Sequence, residues 1–283
     1  MLIFTDLDGT LLDHATYSWE GAARTVARIR EERVPLIFAT SKTRAEVERI
    51  QAALDIRDPF VVENGGAVFF PEDYFGTACR EGDRLPPYRR IRMGETYAEI
   101  RAFVAEMKGR FPIRGFGDLE TAEIAELTGL SVEQAALART REFSEPFLIA
   151  DPSGLPDLEA EAARRGLKVT SGGRFHHLIG AGQDKGRAVR KLLGLYARFC
   201  GGVRRSVAIG DSRNDLPMLG EVDQPVLIPR PDGTREDIRL PNLIIAPYPG
   251  SSGWSAVVDR ILSGGKGDRD NRRDERWRRQ TVS

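Results

Sequence analysis

Three short, wholly apolar runs alternate with helix-spaced stretches in the first 62 residues, and that rhythm leaves few folds open. Leu2-Ile3-Phe4, Val34–Ala39 and Phe60-Val61-Val62 have the length of strands and carry no polar residue to mark a wet face. Strands of this kind are buried on both faces. Between the first two, Ala23, Val26, Ala27 and Ile29 recur at helical spacing over about 19–33. Between the second and third, Val47, Ile50, Gln51 and Leu54 do the same. Strand, helix, strand, helix, strand predicts a parallel α/β sheet covered by helices.

The rhythm then breaks. Residues 71–94 hold several Pro, Gly and charged residues and read as a linker. From about 95 to 179, helical stretches (Tyr97 to Lys108, Ala122 to Leu127, Ser131 to Arg139) mix with strand-like pieces at Phe147–Ile149 and Phe175–Ile179. Ser131 followed by Glu133 and Gln134 makes a good helix start. After Gly182 the alternation returns, with Lys185 to Phe199 a helix, Ser206–Gly210 a strand and Leu216 to Leu219 a short helix. Val226-Leu227-Ile228 and Leu243-Ile244-Ile245 are further strands, and Trp254 to Leu262 a last helix. The simplest account is a Rossmann-like core at 1–84 and 182–263, interrupted by an α+β cap at 85–181. The Gly-, Arg- and Asp-rich stretch 264–283 is predicted to be a disordered tail. A chain of 283 residues suits two modest domains better than one large core.

Lys plus Arg and Asp plus Glu both number 42, so the formal net charge is zero and no general drive toward nucleic acid or an acidic membrane exists. Cys79 and Cys200 fit neither a disulfide framework nor a zinc site. No apolar run nears the roughly 18 residues of a membrane span, and residues 1–12 are too short and too acidic for a signal peptide. The expectation is a cytoplasmic protein, a monomer or homodimer, whose partner is a small molecule.

Ligands of parallel α/β sheets gather outside the carboxyl ends of the strands. Four segments fall there: Asp6-Leu7-Asp8-Gly9-Thr10, Thr40-Ser41-Lys42, Asp184-Lys185-Gly186 and Gly210-Asp211-Ser212-Arg213-Asn214-Asp215. Together they offer four acids suited to a divalent cation (Asp6, Asp8, Asp211 and Asp215), a lysine in Lys185 and a hydroxyl in Thr40. Each alone is compatible with a turn or helix cap. All four, in this order at strand ends, are not.

The four segments resemble the signatures of the haloacid dehalogenase superfamily of phosphotransferases: Asp-x-Asp-x-Thr at Asp6, Asp8 and Thr10, a Thr at Thr40, a lysine at Lys185, and an acidic loop at Asp211, Asn214 and Asp215. An insertion between the second and third signatures is where that superfamily carries its type-2, subclass B cap. The resemblance implies a Mg²⁺-dependent phosphatase. Asp6 would attack phosphorus to form an aspartyl-phosphate. Asp8 would protonate the leaving oxygen and later activate water. Asp6, Asp211 and the main-chain carbonyl of Asp8 would ligate Mg²⁺, with Asp215 bound directly or through water. Lys185 and Thr40 would hold phosphate oxygens, while Thr10 and Asn214 support the loops.

The segments bordering the insertion are similar to those of the mannosyl-3-phosphoglycerate phosphatase family. These are Ala39–Arg44, Glu63–Gly66, Gly115–Leu119, Arg141–Glu145 and Ser171–His177. That resemblance implies a glycosylated phosphoglycerate as substrate. Arg174, Arg141 and Lys42 are candidates for its carboxylate. Glu63, Asn64, Glu142, Glu145, Gly172 and Gly173 are candidates for sugar hydroxyls. His176 and His177 alternate on a strand, so one at most meets the ligand, and His176 is taken as that one. Asn64-Gly65 is also a hairpin signal in its own right. Alternatives are glucosyl or dual specificity, another sugar-phosphate phosphatase or a mutase, and a non-catalytic sugar-phosphate-binding relative.

Overall fold

The computed structural model describes residues 1–172 and 175–264, with only the backbone at 171 and 172; Gly173, Arg174 and the tail 265–283 lie outside the described residues. The chain begins with β1 (Leu2–Thr5), α1 (Ala23–Glu31), β2 (Leu36–Ala39), α2 (Arg44–Leu54), β3 (Phe60–Val62), β4 (Ala67–Pro71), β5 (Asp83–Leu85) and β6 (Tyr88–Arg92). It continues with α3 (Tyr97–Met107), β7 (Ile113–Gly115), α4 (Thr121–Thr128), α5 (Val132–Arg139), β8 (Ser144–Ile149), α6 (Leu155–Arg164), β9 (Leu167–Gly172) and β10 (Phe175–Gly180). It closes with α7 (Lys185–Phe199), β11 (Ser206–Gly210), α8 (Leu216–Leu219), β12 (Gln224–Leu227), β13 (Ile244–Ile245) and α9 (Gly250–Gly264).

The larger sheet has the order β13-β12-β11-β1-β2-β3-β4-β6-β5. From β13 to β3 every pairing is parallel, with Ile3 opposite both Leu36 and Val207. β1 shows why its run is apolar throughout. Ile3 packs with Val26, Phe38, Trp254 and Val258 on one face, and Leu2 and Phe4 pack with Ala188, Val189 and Leu192 on the other. The chain moves outward from β1 through β2 and β3, then returns to place β11 on the other side of β1. That reversal opens a crevice at the carboxyl end of β1.

The smaller sheet, β7-β8-β10-β9, is antiparallel. One face is covered by α3 and α6, through Ile100, Phe103, Val104, Leu158 and Ala162 against Phe147 and Leu178. Residues Ser144, Pro146, His177 and Ile179 share the opposite face, because Ser144 pairs with Ile179 and Pro146 with His177. α4 and α5 form a separate hairpin around Phe116, Leu119 and Ile124. α5 meets α2, where the Thr43 hydroxyl donates to the Leu137 carbonyl at 3.0 Å.

Several expectations change. The 71–94 stretch is not a linker: β5 and β6 form a hairpin around Pro86 and Pro87 and extend the larger sheet through β4. The boundary expected at residue 85 falls inside that hairpin, and the smaller sheet's elements begin at α3. The hairpin escapes sequence reading because its strands are short, Arg-rich and mostly half-exposed, so no apolar alternation marks them. The helix expected over 19–33 begins at Ala23, after a single 3₁₀ turn at Glu20–Ala22. Helix α6 had no sequence counterpart, since it buries only Leu158 and Ala162. Gly264, expected in the tail, is the last residue of α9.

Candidate active site

β1 delivers Asp6 into the crevice. The Asp6 amide donates to the Ile209 carbonyl at 2.9 Å. The Thr5 hydroxyl donates to the Asp6 carbonyl at 2.7 Å and accepts from the indole of buried Trp254 at 3.0 Å. The chain then doubles back, with Leu12 N–H on the Leu7 carbonyl at 2.8 Å. Gly9 makes the turn possible: its φ is +76°, and a Cβ there would stand 2.7 Å from Asp211 Oδ2. A side chain is excluded on both counts.

Carboxylate oxygens of Asp6, Asp211 and Asp215 lie within 4.8 Å of one another. Lys185, in the first turn of α7 and 1% exposed, reaches Asp6 Oδ1 at 2.7 Å and Asp215 Oδ1 at 2.6 Å. The other oxygen of Asp215 accepts from the amides of Asp211 and Ser212, at 3.0 and 3.1 Å, and from the Ser212 hydroxyl at 3.2 Å. Asp215 is thus tied to its own loop and to the lysine, which suits a carboxylate that orients Lys185 better than one reserved for a cation. Thr10 Oγ1 lies 3.5 Å from Asp211 Oδ1. Asn214 donates to Asn64 Oδ1 at 3.1 Å and accepts from Ser212, so it joins the acidic loop to the β3–β4 turn and not to the lysine.

The electrostatics are unbalanced in one direction. Burial raises the Asp6 pKa well above the usual carboxylate range; Lys185 opposes the rise, while Asp215 and Asp211 add to it. Burial, then Asp215, push Asp211 up to about 7 against the pull of Lys185. Burial lowers the Lys185 pKa, but Asp215 and Asp6 outweigh it and hold the amine above its ordinary value. Three carboxylates around one ammonium lack two positive charges. The all-oxygen donor set is what a hard divalent cation takes, and such an ion would supply the missing charge.

Asp8 has its own partner. Lys42 Nζ is 3.0 Å from Asp8 Oδ1 and 3.5 Å from Glu46, with the Tyr17 ring 5.2 Å away. Burial pulls the Lys42 pKa down, and Asp8 and Glu46 more than restore it. Lys42, expected to face a substrate carboxylate, is therefore engaged with Asp8. Thr40 is fully buried at the end of β2, and its hydroxyl accepts from the Lys42 amide at 3.1 Å.

The border residues divide. Glu63, fully buried, accepts from the amides of Glu142 (2.8 Å) and Phe143 (3.1 Å) and from the Ser144 hydroxyl (2.6 Å). Its carboxylate fastens the start of β8 and has little left for a sugar. Replacing Glu63 by Ala strips three donors of a buried acceptor, and is expected to lower stability by about 2–4 kcal/mol, read by urea unfolding. Glu142 is held by Arg44 at 2.9 Å and by Arg90 at 3.6 Å. Glu145 is buried on the α3 side of its sheet, bonded to Tyr97 and Arg101 at 2.7 Å each. Both acids are engaged by protein groups. Asn64 is buried beside Asn214, and Gly65 adopts φ +91° with its Cα pressed against the Asp184 backbone, so turn and close approach are one requirement. Arg141 does bridge the two sheets: its Nη1 donates to the Ser41 carbonyl at 2.8 Å, and its guanidinium lies over Phe116. The Gly172 backbone pairs with Phe175, and Gly173 and Arg174 fall outside the described residues.

The strand register puts the two histidines on opposite faces of their sheet. His176 packs on Phe147, on the helix-covered face. His177 is the one on the face shared with Ser144, toward the crevice. Strand alternation made one of them inward-facing, but nothing local to the sequence says which. Gln183 was not foreseen either: fully buried, it donates to the Glu63 and Phe143 carbonyls and accepts from the Gly180 amide at 3.3 Å, tying the chain where it re-enters the larger sheet.

A doubly wound core with an acid cluster at the β1 terminus and a lidding second sheet is the architecture of haloacid dehalogenase-like hydrolases, and the model of that family matches residues 3–78. A solved structure from Thermoplasma acidophilum superposes with a TM-score of 0.65 at 20% identity, covering 92% of this chain and 97% of that one. At sequence level the likeness is narrower. A glucosyl-3-phosphoglycerate/mannosyl-3-phosphoglycerate phosphatase of Persephonella marina is 49% identical over 93% of this chain and 97% of its own length. An enzyme of the same name from Methanococcoides burtonii is 40% identical over 92% and 97%. The chain belongs to this family of glycosyl-3-phosphoglycerate phosphatases among the haloacid dehalogenase-like hydrolases.

Proposed function

We propose that this chain is a Mg²⁺-dependent phosphatase that converts mannosyl-3-phosphoglycerate, and its glucosyl counterpart, to the glycosylglycerate and phosphate. The observation that carries the reading is the placement of Asp6 against Lys185, with Asp8 held separately by Lys42, at the end of one strand. Two carboxylates separated by a single residue thereby have different partners and different work.

Asp6 attacks phosphorus in line and takes the phosphoryl group as an aspartyl-phosphate, releasing the glycerate oxygen. Asp8 protonates that oxygen and, in the second half-reaction, withdraws a proton from the attacking water. Lys42 keeps the Asp8 carboxyl directed at the leaving side. Lys185 and the Thr40 hydroxyl hold the phosphoryl oxygens, and Asp215 fixes the lysine. Asp6, Asp211 and the Asp8 carbonyl would hold Mg²⁺, which would offset the charge of nucleophile and phosphate. The protein acts in the cytoplasm as a monomer or homodimer. No helix among the described residues is long and apolar enough to cross a membrane.

Phosphate release from mannosyl-3-phosphoglycerate, glucosyl-3-phosphoglycerate, 3-phosphoglycerate and mannose 6-phosphate, with and without EDTA, tests this. Metal-dependent release confined to the two glycosyl esters is expected. Release from the simple sugar phosphates alone would keep the chemistry and discard the substrate.

A further inference from the structure

His177 is 8% exposed, and its Nδ1 has no hydrogen-bond partner among the described residues. Buried polar atoms are nearly always satisfied, so an orphan on the wall of a reaction crevice points to a partner that arrives. The strand register fixes where the ring faces. His177 lies on the same side of its sheet as Ser144, whose hydroxyl touches Glu63 of the larger sheet. Arg141 occupies that side too. Its Nε and Nη1 are taken by the Ala138 carbonyl, the Ser41 carbonyl and the Ser144 hydroxyl, and Nη2 has no partner among the described residues. Burial, with Arg141, His176 and Lys185 nearby, holds the His177 pKa down at about 3, so the imidazole is neutral and one ring nitrogen carries a hydrogen.

We propose that His177 Nδ1–H and Arg141 Nη2 together receive the carboxylate of the substrate's glycerate moiety, making His177 a specificity residue of the site; this rests on the phosphatase reading above. A second anion beside a phosphate needs a cation and a directed donor, and these two side chains supply one each. A site built to hydrogen-bond a substrate group discriminates strongly against the analogue lacking it, because its own polar atoms are then left unpaired.

The test uses glucosyl-3-phosphoglycerate and its reduced analogue, in which CH₂OH replaces the carboxylate, with p-nitrophenyl phosphate as a small reporter. His177→Phe keeps the ring's bulk and removes Nδ1. His177→Asn restores a donor close to that place. His177→Phe is expected to raise KM for the carboxylate ester about tenfold or more, to leave the reduced analogue and p-nitrophenyl phosphate within about threefold, and His177→Asn to recover most of the loss. Equal losses on all three substrates, or no change on any, would overturn the assignment. So would a wild-type enzyme that does not distinguish the ester from its reduced analogue. Hydrolysis of p-nitrophenyl phosphate by wild type without hydrolysis of either glycosyl ester would overturn the substrate reading itself, and the clamp with it.

Discussion

Asp6→Asn is expected to cut kcat by at least about 10⁴-fold while leaving the fold and substrate binding in place. The amide is isosteric, so the Thr5, Ile209 and Trp254 contacts that present residue 6 are unchanged. What disappears is the anionic oxygen that would attack phosphorus, and no neighbour can substitute: Asp215 is fully buried and bonded on both oxygens, and Asp8 is paired with Lys42. Burst and steady-state phosphate release, with substrate binding by calorimetry, check this. Turnover within tenfold of wild type would remove Asp6 from the nucleophile's role.

Lys185→Met should be nearly as damaging, for a different reason. The substitution leaves Asp6, Asp211 and Asp215 facing one another without an ammonium, in a site where Lys185 is 1% exposed. Breaking such a buried pair costs about 3–5 kcal/mol, and removing one charged donor from a phosphoryl group costs about 10²–10³-fold in rate. The sign of the pH dependence follows. Without the lysine the carboxyl pKa values rise further in the folded state, which then binds more protons than the unfolded chain, so the variant loses stability as pH rises from about 4 toward neutrality. Mg²⁺ should raise its Tm more than it raises that of wild type, because the ion replaces part of the lost positive charge. Melting curves at pH 5 and pH 8, with and without Mg²⁺, test both statements. A variant as stable as wild type at pH 8 without metal would mean that Lys185 does not neutralise the cluster.

How much of this could be read beforehand depends on whether a residue's neighbours are local. Leu2-Ile3-Phe4 announced a strand buried on both faces because no polar residue interrupts it, and helices do cover both sides. Asp6, Asp211, Asp215 and Lys185 were legible because strand ends in a doubly wound sheet converge, whatever the details of packing. Glu63, Glu142 and Lys42 were not legible in the same way. Each has the chemistry to meet a substrate, but each is claimed by a protein group distant in sequence or newly brought beside it: Glu63 by the 142–144 backbone, Glu142 by Arg44 and Arg90, Lys42 by Asp8. His176 and His177 show the same limit in miniature. Period two separates their faces, but the phase is set by the pairing of β10 with β8.

The central claim is a phosphoryl group carried on Asp6, and it can be seen directly. Asp8→Asn removes the group that activates water while leaving the nucleophile, and p-nitrophenyl phosphate has a leaving group that needs no proton donor, so with that ester the intermediate should accumulate. Rapid acid quench of that variant with p-nitrophenyl phosphate and Mg²⁺, followed by borohydride reduction and peptide mass analysis, is predicted to convert Asp6 to homoserine in a substrate- and metal-dependent way. Reduction at any other carboxylate, or none at Asp6 while wild type turns the ester over, would contradict the account.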